Sequence, residues 1–159
     1  MNENDLKELV KNGLQAQKAA TQLGDDAAAE VAADATDPEL KSLLSQGSES
    51  AKTWERRLTE ALQKMGVDDS PRENEIIQAH YSVSKKIRAE AKSPEARDLG
   101  IIASGQLVMH YYIAGFGTLA SYADRLGENE TKSLVGSLLD EAKQADEAMT
   151  ALAKKLLSR

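Results

Sequence analysis

The chain has 159 residues, 41% of them hydrophobic, no cysteine, and a formal net charge of -6 from 20 basic and 26 acidic side chains. That is enough apolar material for one core of ordinary domain size, and it excludes thiolate catalysis, zinc–thiolate sites and a disulfide framework together. The acidic balance argues against nucleic acid, because the densest basic cluster, Lys85, Lys86, Arg88 and Lys92, is interrupted by Glu90 and holds no aromatic residue.

With only three prolines and ten glycines, long runs of alanine, leucine, lysine, glutamate and glutamine read as helix throughout, and no segment alternates as a strand would. The first predicted helix covers 3 to 36. Gly24-Asp25-Asp26 leaves open whether it is one helix or two, and its alanine-rich second half is expected to pack closely on its neighbours. Prolines 38, 71 and 94 each follow an N-cap type of residue, Asp37, Ser70 and Ser93, and so mark three helix starts. The second helix, 38 to 65, carries one apolar stripe through Leu40, Leu44, Ala51, Trp54, Leu58 and Met65 and ends before Gly66. A shorter, less amphipathic helix covers 71 to 92.

The helix from 94 to 126 has two stripes. Leu99, Ile102, Gln106, Met109, Ile113, Phe116, Ala120 and Ala123 form one, and Ile101, Gly105, Val108, Tyr112, Gly115, Leu119, Tyr122 and Leu126 the other. Four of the six aromatic residues of the chain lie here. Two stripes imply burial on more than one face, either under the short helix or against a second copy of the chain, with Val108, Tyr112, Leu119, Tyr122 and Leu126 as the interface candidates. After a turn at Gly127 the last helix covers 130 to 157, with a stripe from Leu134 through Leu138, Ala142 and Met149 to Leu156.

Four long amphipathic helices predict an all-α, antiparallel four-helix bundle, with the short helix as the crossover found in ferritin-like folds. No repeat or linker divides residues 1–159, so a single domain is expected. The polar, acidic N-terminus does not read as a signal peptide, and no run approaches the roughly 20 apolar residues of a membrane span. The expectation is a cytoplasmic protein without a membrane partner.

The run Val108-Met109-His110-Tyr111-Tyr112-Ile113-Ala114, followed by Gly117-Thr118-Leu119-Ala120, Leu126-Gly127 and Leu139-Asp140-Glu141-Ala142-Lys143, resembles the YciE/YciF family of ferritin-like bacterial stress proteins, a domain of unknown function. The resemblance is gapless over 97–153, weaker around Asp37-Pro38-Glu39-Leu40 and Arg57-Leu58, and loose in the first helix. It implies a bundle, commonly dimeric, with inward-facing carboxylates and a histidine at a di-metal centre.

The residues at those positions do not suit such a centre. A di-iron or di-manganese carboxylate site takes glutamates from two helices and a Glu-x-x-His pair from each of the others, yet the residues three before His80 and His110 are Ile77 and Leu107. The family's glutamates flanking the His-Tyr pair fall at Met109 and Tyr112. In the first helix the family glutamate falls at Gln17 or Thr21, in the second a histidine and two adjacent glutamates fall at Gly47, Glu49 and Ser50, and in the last the second of two glutamates falls at Ala142. Glu49, His110, Glu141 and Asp146 remain. No metal or other cofactor is therefore expected, and the apolar replacements are expected to fill the centre of the bundle. The alternative is an atypical iron or manganese site built from Glu49, His110 and Glu141.

Catalysis has no other support. Asp25-Asp26 and Asp68-Asp69 sit at turns, Asp140 and Glu141 point to different helix faces, neither histidine accompanies a Gly-x-Ser-x-Gly elbow, and no Gly-Lys-Ser/Thr phosphate loop occurs. The expectation is a non-catalytic, stress-associated protein that has lost its di-metal site and acts as a homodimeric interaction protein.

Overall fold

A computed structural model describes residues 2–70 and 72–159. Among these there are five helices and no strand: α1 (Glu3–Asp34), α2 (Pro38–Lys64), α3 (Glu75–Glu90), α4 (Pro94–Arg125) and α5 (Asn129–Leu157). Two of the three expected proline starts are in place. Asp37 accepts from the Glu39 and Leu40 N–H groups ahead of α2, and Ser93 accepts from the Ala96 N–H ahead of α4. The third is corrected: Pro71 lies outside the described residues, and α3 starts at Glu75, where Asn74 accepts from the Ile77 N–H. Gly66 and Gly127, at φ 64° and 73°, take the left-handed conformation that ends α2 and α4.

Helix α1 runs unbroken through Gly24. A single glycine costs an α-helix about 1 kcal/mol, which the packing of α1 along α2 outweighs.

Neighbours in the bundle are antiparallel. Lys64 at the end of α2 meets Glu130 at the start of α5, at 2.8 Å, and Arg159 beyond α5 meets Asp37 before α2, at 2.7 Å. Gly13 of α1 faces Leu119 near the end of α4, while Thr36 beyond α1 bonds Asp98 at the start of α4. Since α2 and α4 therefore run the same way, residues 65–93 must return the length of the bundle, and α3 does so. It lies on α4 and α1. A Cβ on Gly100 would stand 2.6 Å from the Ile87 side chain, and Asn74 at the other end donates to Ala16 O and Tyr111 Oη, each at 2.7 Å.

The short helix thus covers part of the excess apolar surface of α4. Tyr112 and Leu119, expected at an interface between copies, are each 4% exposed within one chain, and Val108 and Leu126 are half-buried against the core. Of that group only Tyr122 is exposed. Against the expectation that no run approaches a membrane span, α4 is long and apolar enough, by length and composition alone, to cross a membrane. Its apolar residues serve three neighbouring helices, so both stripes carry few charges.

Candidate functional site

The core is in two parts. One is built around Trp54, Leu58, Tyr112, Phe116 and Leu138, the other around Leu40, Ile101, Ile102 and Leu152. In the first, Trp54 meets Tyr112 and Phe116 edge-on at ring-centroid distances of 5.2 and 5.6 Å, and Tyr112 stacks on Phe116 at 5.5 Å, within the range where such pairs add to simple burial.

Between the two parts lies a cavity of about 420 Å³, lined from both: Ala20, Trp54, Ile77 and Tyr112 on one side, Val31, Leu43, Ile101 and Met149 on the other. The expectation that apolar side chains fill the centre is therefore corrected. The walls are apolar, but Gly24, Ala27, Ala28, Ala51, Gly105 and Ala148 are too short to meet across the space. The alanines of α1 here leave a void instead of a close helix contact.

Of the surviving ligand candidates, the structure brings together only His110 and Asp146. Glu141 lines the cavity, but its two oxygens are taken: Oε2 accepts from Trp54 Nε1 at 2.7 Å and Oε1 from Arg57 Nη1 at 2.6 Å. Glu49 has its side chain 75% exposed and pairs with Lys52. His110 points outward, 66% exposed, with its Nε2 3.6 Å from Asp146 Oδ2; Asp146 in turn accepts from Gln106. Among the described residues, no three His, Asp or Glu side chains are grouped so as to hold a metal ion. A di-metal centre needs several anionic oxygens to offset its charge, and the donors present at the bundle centre do not fit one.

Of the positions matched to the family's ligands, Gly47 and Glu49 are exposed and the others are at least half-buried. Gln17, Thr21, Tyr112 and Ala142 are 4%, 1%, 4% and 0% exposed, while Ser50 and Met109 are half-buried on the cavity wall. Thr21 donates to Lys18 O, but Gln17 Oε1 is buried without a partner. Burial pushes the Tyr112 phenol well above its ordinary value, with the neighbouring Tyr111 adding to it, so Tyr112 is a neutral hydroxyl.

Neither the tie from Trp54 and Arg57 to Glu141 nor the cavity has a signal in the sequence. Glu141 is 84 residues from Arg57, and no local pattern links them. The small residues of the wall were legible only as good helix formers.

Fold and site together define a helical bundle with a long crossover helix and an apolar centre. The family described as "Domain of unknown function (DUF892)" matches residues 5–159, and the chain belongs to it. The protein YciF of Escherichia coli (strain K12) is 44% identical over 59 residues, which are 37% of this chain and 36% of that protein; the aligned stretch thus spans about a third of that relative. Among solved structures, the E. coli stress protein YciF superposes with a TM-score of 0.93 at 22% identity, over 97% of this chain and 98% of that one. YcfI from Rhodopseudomonas palustris gives 0.88 at 25% identity over 94% of both chains, and a protein of Xanthomonas campestris pv. campestris gives 0.77 at 15% identity over 97% of this chain and 94% of that one. The expected family and the all-helical fold are both established by these matches.

Proposed function

We propose that this protein is a non-catalytic, stress-associated member of its family that has given up a di-metal carboxylate centre and acts as a homodimeric interaction protein. The observation that carries the reading is the state of Glu141. It is the one carboxylate on the cavity wall, and it is committed to Trp54 and Arg57 instead of facing a second acid across the bundle. Neutral Gln17, Thr21, Ser50, Met109, Tyr112 and Ala142 stand where the family resemblance places ligands, and removing like charges from a buried centre relieves both repulsion and desolvation. The stress association rests on the E. coli relative, which is described as a stress protein.

Metal analysis of protein purified without chelator tests the loss of the centre, followed by iron and manganese titrations. Less than a tenth of an equivalent of metal and an unmoved Tm are expected. Stoichiometric metal with a raised Tm overturns the reading, because a ligand that binds only the folded state must stabilise it.

The second copy is supported by surface that the chain leaves open. Ile76 and Val83 on α3 and Leu107 on α4 are 58%, 50% and 53% exposed, beyond what α3 itself covers. Light scattering at tens of micromolar is expected to give twice the mass of 17.2 kDa; a monomer would remove the dimer from the proposal.

A further inference from the structure

We infer that the central cavity is a binding site for an uncharged, largely hydrocarbon molecule carrying one oxygen, which accepts a hydrogen bond from the hydroxyl of Tyr112. The inference rests on the reading of the centre as metal-free, since the two occupants would share the space.

Size is the first argument. An engineered cavity of about 150 Å³ takes benzene, and small-molecule sites run from about 300 to 1,000 Å³. At about 420 Å³ this one has room, by proportion, for on the order of 15 non-hydrogen atoms. Leaving apolar wall uncovered is unfavourable in proportion to its area, and a hydrocarbon body covers it where water does not.

The second argument is the inventory of polar groups on the wall. Most are already bonded within the chain. Glu141 is held by Trp54 and Arg57, the Ser48 hydroxyl donates to Asp25, Ser84 accepts from Arg88, the Ser104 hydroxyl donates to Gly100 O, and Tyr81 is bonded to Glu30. The side chains of Ser50, His80, Gln144 and Tyr112 make no hydrogen bond within the chain, and of these Tyr112 alone is buried, at 4% exposed, with its hydroxyl on the α1 side of the cavity, 3.7 Å from a Cβ placed on Gly24. That hydroxyl lines the cavity and is free to donate to a ligand oxygen placed there.

The third argument fixes the charge. With both Glu141 oxygens engaged, no free carboxylate awaits a cation, and the Tyr112 phenol stays neutral, so it does not repel or attract an ion as a charged group would. Arg57, the nearby cation, is committed to Glu141 and Ser137. Apart from His80, half-buried on the α3 side, the wall offers an entering ion no free titratable group in exchange for its hydration.

Trp54 is the single tryptophan of the chain and stands on the wall, so its fluorescence reports the cavity directly. Phenylhexanol, hexylbenzene and phenylhexanoate are titrated into chelator-treated protein, with metal content measured on the same preparation. The expected result is a saturable, one-to-one change in emission with the alcohol and the hydrocarbon, and none with the carboxylate at matched concentration. Tyr112→Phe is expected to weaken the alcohol about fivefold to tenfold while leaving hexylbenzene unchanged, and Ala28→Phe, which fills the space, to abolish both with Tm maintained or raised. Absence of saturable binding, tighter binding of the carboxylate than of the alcohol, or a Tyr112→Phe variant that loses both ligands equally would overturn the inference. The two readings fail separately: bound metal in the untreated protein sinks the metal-free centre, whereas metal-free protein that takes no phenylhexanol sinks only this inference.

Discussion

Asp98, one turn into α4, accepts two hydrogen bonds from Thr36: its Oδ1 lies 2.8 Å from the Thr36 backbone nitrogen and its Oδ2 2.6 Å from the Thr36 hydroxyl. The same Oδ2 accepts from the Asp37 N–H at 2.8 Å. A carboxylate 3% exposed is tolerated because these donors replace its water, and the arrangement ties the α1–α2 turn to α4.

Replacing that carboxylate is therefore expected to be costly. Hydrogen bonds to a charged group contribute about 1.5–3 kcal/mol each but are not additive within one cluster. Asp98→Ala should lose about 3 kcal/mol in urea unfolding, and Asp98→Asn, which keeps one acceptor oxygen, distinctly less. Equal losses in the two variants would contradict a role for the paired oxygens.

Arg88 is the corresponding pin for α3. Only 2% of its side chain is exposed, and it donates from Nε to Asp34 at 2.8 Å, from Nη2 to Glu30 at 2.7 Å and from Nη1 to Ser84 at 2.8 Å. The carboxylate partners are more than 40% exposed, so water screens them and the cost of Arg88→Met is expected near 2 kcal/mol, below that of breaking a fully buried pair. Hydrogen exchange should show α3 opening ahead of the four long helices. Unchanged protection in α3 would show that Ile77 and Ile87 hold the helix without the arginine.

Gly115 and Gln17 are expected to be coupled. A Cβ on Gly115 would fall 1.9 Å from Gln17 Nε2, and Gln17 is buried with its Oε1 unpartnered. Gly115→Ala should cost about 2 kcal/mol through overpacking. Gln17→Ala made in the Gly115→Ala background should recover part of that loss, so that a double-mutant cycle reads a coupling above about 0.5 kcal/mol. Additive losses would mean that Gln17 swings aside freely.

At the other end of the bundle, the guanidinium of Arg159, with help from the Leu40 and Glu39 N–H groups, holds the Asp37 carboxyl below its ordinary value of 3.8, against the opposing effect of burial. A carboxyl depressed in the folded state stabilises above its unfolded value and loses that contribution as pH falls through the folded one. Wild type should therefore melt above Arg159→Ala at about pH 6, and the gap should close towards about pH 2. A gap that persists unchanged in acid would assign the effect of Arg159 to packing.

Local signals are legible in the chain. Asp37-Pro38 and Ser93-Pro94 start α2 and α4 as an N-cap followed by proline should, and Gly66 and Gly127 end α2 and α4 because their left-handed backbone suits glycine. The misplaced start of α3 has the same physical basis, since Asn74 competes with Ser70 as an N-cap and Asn74 alone is fixed from outside, by Ala16 and Tyr111.

The sequence by itself determined five helices, their order, the crossover, the family, and the shortage of acids where a metal centre would stand, because caps, glycine conformation and 3.6-residue periodicity act within a few residues. Only the tertiary structure decided that α1 and α2 rather than a second copy cover Tyr112 and Leu119, that Glu141 answers to Trp54 and Arg57, and that alanines and glycines from four helices line a cavity with the Tyr112 hydroxyl on its wall. Those outcomes depend on side chains tens of residues apart meeting, or failing to meet, across the bundle. Volume in a core is a property of all the facing helices at once, and no stripe read along one of them contains it.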